Sequence, residues 1–214
     1  MTEISTDDAS NRVSIFGVQS ITLLIICGIA LFFYFEYATQ YFLWDEEIFG
    51  PYYWGKKASL ILHLGGASLA LFMGPPQLWM GLRNRYMRVH RWTGRLYLVG
   101  VFVGSVGAFL MATTPEQILG WGFAFSLFGL AIAWVVTTGF AFTSIIRRKV
   151  LMHKEWMIRS YIVTFSFVTF RILTDYTPYQ SWGLDMAEYY TAMLWSCWVF
   201  PLMVAEVIIQ GRRL

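Results

Sequence analysis

Charge is scarce in this sequence. Only 14% of its 214 residues are Asp, Glu, Lys or Arg, where a soluble domain carries about a quarter. Cysteine is scarcer still: Cys27 and Cys197 stand in separate apolar runs. Two isolated cysteines exclude a disulfide framework and a zinc knuckle. Histidine occurs three times, at His63, His90 and His153. No HExxH, CxxC, P-loop, GxSxG or dinucleotide fingerprint is present, so no motif nominates a reaction. Strict apolar/polar alternation is also missing, which excludes a barrel built from lipid-facing strands.

What the chain has instead is apolar length. It is 57% hydrophobic and 19% aromatic, with 10 Trp, 12 Tyr and 18 Phe. A membrane helix needs about 20 mainly apolar residues. Six runs qualify: Ser14–Phe35, Ala58–Leu82, Leu96–Ala112, Trp121–Ile146, Met157–Thr174 and Glu188–Gln210. In hydrocarbon only helices and closed barrels satisfy their backbone. The expected fold is therefore all-α, a polytopic integral membrane bundle of six transmembrane helices. Residues 1–13 form one tail, 14–210 the membrane domain and 211–214 the other tail. The acidic leader MTEISTDD and the long run behind it read as a retained first helix, not a signal peptide.

Thirteen of the sixteen basic residues fall on one side of this scheme. They sit in Arg83–Arg95, in Arg147–Arg159 and beside the termini. The positive-inside rule then places both termini and both basic loops in the cytoplasm. The other side carries Asp45, Glu46, Glu47, Glu116, Asp185 and Glu188, flanked by Trp44, Tyr52, Tyr53, Trp54, Trp121 and Trp182 as an interfacial belt. Loop Tyr37–Gly55 should be the longest connection there and should lie on the membrane surface. Gly74-Pro75-Pro76 should break or kink the second helix. The expected location is a bacterial inner (plasma) membrane, with the lipid bilayer as first partner. Lipid accounts for the basic loops, and no nucleic-acid signature is present.

The two basic loops align with one another: RYMRVHRWTGRLY lies on RKVLMHKEWMIRSY, with His90 over His153. A duplicated helix pair would put these histidines at equivalent depths near a pseudo-twofold axis.

Ionisable groups inside hydrocarbon are costly and therefore informative. His63 and Arg171 share a depth near the acidic side. Arg171 has Asp175 one turn away as a candidate counter-ion. His90, Arg95, His153, Arg159 and Glu206 form a second polar layer near the basic side, where Arg95 or Arg159 should pair with Glu206. Metal ligands must share a depth. Only His90 and His153 do, so they are the candidate metal or haem ligands. Three functions fit. The first is a redox-type protein holding haem b or a quinone at these two layers. The second is a non-catalytic subunit or assembly factor of a membrane complex, contacting other subunits through its aromatic, acidic outer loop and through Gly100, Gly104 and Gly107. The third, a small-solute transporter, has only Thr137, Thr138, Ser166 and Thr169 for a path.

Three stretches carry a likeness to a known family: LHLGGASLALFMGPPQL, HRWTGRLY and HKEWMIRSYIVTFSFVTFRI. Over residues 58–175 the chain resembles the bacterial membrane proteins grouped as domain of unknown function 2306. His63, Gly74, His90, Gly94, Arg95, Tyr97, His153, Trp156, Met157, Arg159, Ser160, Tyr161 and Arg171 fit that family's pattern. The resemblance implies a polytopic membrane bundle and brings no activity with it.

Overall fold

A computed structural model describes residues 21–113, 119–177 and 183–211. The expectations for residues 14–20, Glu116, Trp182 and both tails lie outside these. The described residues contain helices and no strand. Helix α1 runs Ile21–Leu43, α2 Glu46–Tyr53, α3 Lys57–Arg83, α4 Met87–Ala112, α5 Gly120–Ile146, α6 Val150–Thr164, α7 Ser166–Tyr176 and α8 Met186–Gly211. Among the described residues five helices are long and apolar enough to cross a membrane, and α6 with α7, bent by 41° where they meet, makes up to a sixth if the pair is one span. Each of the six apolar runs falls on one of these helices or, for the fifth run, on the bent pair. Large apolar side chains such as Leu24, Phe102, Ile132 and Val207 are exposed on its outside, the pattern of a surface solvated by lipid.

Three expectations about connections are corrected. Tyr37–Leu43 is not a loop: α1 continues through a π-helical turn, Tyr34–Ala38, and a 3-10 stretch, Thr39–Leu43. The basic segment 83–95 is mostly helix, because α3 ends at Arg83 and α4 begins at Met87. Asn84 and Tyr86, both left-handed, turn the chain between them. And Gly74-Pro75-Pro76 does not break α3.

The last point has a local cause. Pro75 lacks an N–H, so the Leu71 carbonyl four residues back loses its helical donor. The Tyr161 hydroxyl donates to that carbonyl at 3.3 Å. Gly74 makes room for the donor, since a Cβ there would lie 2.0 Å from the Tyr161 ring. A side chain thus replaces the backbone donor that Pro75 lacks, one of the two that the adjacent prolines remove.

Helices α3 and α4 approach at backbone contact. A Cβ on Gly66 would lie 2.2 Å from Gly104 N, one on Gly107 2.4 Å from His63 N, and one on Gly100 2.8 Å from Ala70 N. Small residues spaced three and four apart permit such approach in membranes. The glycine face of α4, expected to meet other subunits, is therefore used within the chain. At the acidic end Lys56 is buried, and its ammonium donates to the Met111 carbonyl in the last turn of α4. A cation on those free carbonyls is favourable.

Candidate functional site

His63 sits two turns into α3, on the face closed by α4. Its Nδ1 lies 2.8 Å from Gly104 O. A carbonyl oxygen only accepts, so Nδ1 carries the proton and Nε2 keeps a lone pair. The glycine contacts make this bond possible by bringing the α4 backbone against the imidazole. On its other side the ring meets Trp134 edge-on, with centroids 6.5 Å apart.

Arg171 projects from α7, and the expected pair with Asp175 does not form. Asp175 instead accepts the hydroxyl of Tyr37. No carboxylate lies within ion-pair distance of Arg171 among the described residues. Its guanidinium rests over Tyr37 at 4.7 Å, Phe167 at 5.7 Å and Phe170 at 6.0 Å. Aromatic faces thus stand where a counter-ion would. Arg171 Nε is buried without a hydrogen-bond partner.

His63 and Arg171 line one cavity of about 190 Å³. Tyr37, Tyr41, Tyr53 and Trp134 contribute aromatic wall, and Leu60, Leu127 and Leu130 apolar wall. Burial holds the Tyr53 phenol above its ordinary ionisation range, so it stays a neutral hydroxyl. Thr164 and Ser166 flank Phe165, where the sixth span bends, and both line the cavity.

A hydroxyl network leads inward from this cavity. Trp134 Nε1 donates to Thr164 Oγ1 at 2.8 Å. Tyr97 Oη lies 2.7 Å from both Thr164 Oγ1 and Ser160 Oγ. Ser160 Oγ lies 2.6 Å from Thr138 Oγ1. Thr164 donates to Ser160 O at 2.9 Å, which makes Tyr97 the donor to Thr164 and Ser160 the donor to Tyr97. Every hydroxyl proton has an acceptor. Sequence reasoning missed this cluster, because single hydroxyls on apolar runs carry no signal until three helices bring them together. The tyrosine and serine in the quoted motifs were the available clue.

The basic-end layer divides in two. Arg159 donates through Nε and Nη2 to Glu206 Oε2, at 2.9 and 2.6 Å, and its guanidinium lies 4.8 Å from the Trp156 ring centre. This ties α6 to α8. Arg95 is exposed and stacks over Trp92 at 4.6 Å. His90 and His153 are brought together, with ring centroids 6.3 Å apart and planes at 86°. Each is the fourth residue of its helix. No group of three or more His, Cys, Asp or Glu able to hold a metal occurs among the described residues.

The chain belongs to the family described as Predicted membrane protein (DUF2306), whose model matches residues 60–209. Among curated proteins and among solved structures nothing matches.

Proposed function

We infer that this member of a membrane-protein family binds a quinone-class ligand in the cavity between α3, α5 and α7. The observation that carries the reading is Arg171. A buried guanidinium donor without a partner is costly, and here it faces the same apolar space as an imidazole. A quinone is flat and apolar, with oxygen atoms at opposite ends of its ring. Its carbonyl would accept from Arg171, and the hydroxyl of the reduced form would donate to His63 Nε2. Aromatic walls suit the ring, as ligand sites are mostly apolar with a few placed polar groups.

The setting we propose is a bacterial plasma membrane, with the basic end in the cytoplasm. The cavity then opens near the outer leaflet. The subunit reading loses one of its two surfaces, since the glycine face of α4 is occupied by α3. Of the hydroxyls on which the transporter reading rests, Thr138 bonds within the buried cluster, Thr137 and Thr169 bond to carbonyls of their own spans, and Ser166 lines the cavity.

Organic extraction of the protein, purified from native membrane in mild detergent, tests this reading. The wild-type chain should release a lipid quinone near one equivalent, and an Arg171→Gln, His63→Gln double variant should release at least tenfold less. Equal amounts from both proteins would overturn it.

A further inference from the structure

We propose that His90 and His153 are the two axial ligands of a redox metal centre at the basic end. It stands independently of the cavity, because it rests on different residues. The first observation is distance. A metal–imidazole bond of about 2.0–2.1 Å, plus about 1.15 Å from nitrogen to ring centre on each side, separates two trans imidazole centres by about 6.3–6.5 Å. The two rings stand 6.3 Å apart.

The second observation is orientation. His153 Nδ1 lies 2.9 Å from Ala141 O, so Nδ1 donates and Nε2 keeps its lone pair. A backbone carbonyl holding the far ring nitrogen is the usual support for a metal-ligating histidine. Ala141 belongs to α5, so this ligand is fixed from a second helix.

The third observation is the state of His90. Its Nδ1 is buried with no hydrogen-bond partner, although its own backbone is tightly held. Gln77 Nε2 donates to the His90 carbonyl and lies 2.6 Å from Thr93 Oγ1. Gly81 seats the ring, since a Cβ there would lie 3.0 Å from His90 Cε1. His90 is thus a positioned imidazole with an unused buried nitrogen, and His153 beside it keeps a free lone pair on Nε2.

Two neutral nitrogen ligands in line suit haem iron and a lone cuprous ion alike. Exposed Arg88 and Arg91 flank His90 in sequence. They favour haem, whose propionates are anionic, over a bare cation.

The test is an absorption spectrum of the full chain, purified from cells supplied with haem precursor, oxidised and then reduced with dithionite. Haem gives a Soret band and sharp reduced α and β bands. His90→Gln and His153→Gln should each lower bound haem more than tenfold, and His63→Gln should leave it unchanged. Gly81→Ala, which keeps both ligands but displaces one ring, should shift or broaden the bands. If the protein is colourless, titration with cuprous ion against a chromogenic chelator decides. One equivalent retained by wild type and lost in both variants supports the site with copper as its metal. A protein that binds neither, or variants that bind as wild type while monodisperse by gel filtration, overturns the proposal.

Discussion

At the residue scale, the Tyr97 side chain is fully buried and its hydroxyl is shared between Ser160 and Thr164. Removing one member of a buried network leaves its partners short of a bond, at about 1–3 kcal/mol. Tyr97→Phe should therefore lower thermal stability in detergent by that amount, while Tyr86→Phe, on an exposed side chain, should not move it. An unchanged melting temperature in Tyr97→Phe would show that the network is not stabilising. His63 and Arg171 were legible in the sequence because an ionisable group in an apolar run is conspicuous by its cost. Tyr97 was not: its partners lie 63 and 67 residues away, and a tyrosine near a basic loop also reads as an interfacial anchor. The Arg171–Asp175 pair failed for a comparable reason, since Tyr37, from a distant helix, takes the carboxylate.

At the element scale, α3 offers two paired experiments. Gly65 and Gly66 are neighbours, yet a Cβ on Gly65 meets nothing within 4 Å and one on Gly66 meets the α4 backbone. Gly65→Ala should be neutral or stabilise by up to about 1 kcal/mol through helix propensity. Gly66→Ala should cost about 1–3 kcal/mol through overpacking. Equal melting temperatures for the two variants would contradict the close packing. The second pair concerns the proline gap. Tyr161→Phe removes the donor to Leu71 O and should destabilise the wild-type chain by about 1 kcal/mol. In a Pro75→Ala background the backbone N–H takes that carbonyl, and the same change should cost measurably less. Additive effects in this double-mutant cycle would show that the two groups do not share the carbonyl. Where α1 ends and α4 begins was not legible, but the apolar runs themselves were plain in the sequence, since hydropathy reports them directly. Continuity was not. Two prolines suggested a break that a tyrosine from α6 repairs, and the 41° bend at Phe165 falls where no Pro or Gly marks it.

At the scale of the whole molecule, two polar layers stand near opposite ends of an apolar bundle. In the orientation we propose, the end rich in basic residues faces the cytoplasm. In a chain whose native Cys27 and Cys197 are replaced, a cysteine at Asp45 should react with an impermeant maleimide in intact cells. A cysteine at Arg88 should react only after lysis. The reverse pattern would invert the topology and move the cavity to the inner leaflet. Membership of a membrane-protein family and the helical bundle agree with the sequence reading, because both follow from composition and hydropathy. The pairing of polar residues into a cavity, a hydroxyl cluster and a histidine pair depended on helix rotation. Periodicity constrains rotation weakly when a helix is apolar all round.

The central claim is that the His63–Arg171 cavity is a quinone site. Titration of the purified chain with menadione, followed by quenching of tryptophan fluorescence, tests it most directly, since Trp134 lines the cavity. Saturable quenching that weakens at least tenfold in Arg171→Gln, and largely disappears in Trp134→Phe, is the predicted result. Non-saturable quenching of the same size in wild type and both variants would contradict the account.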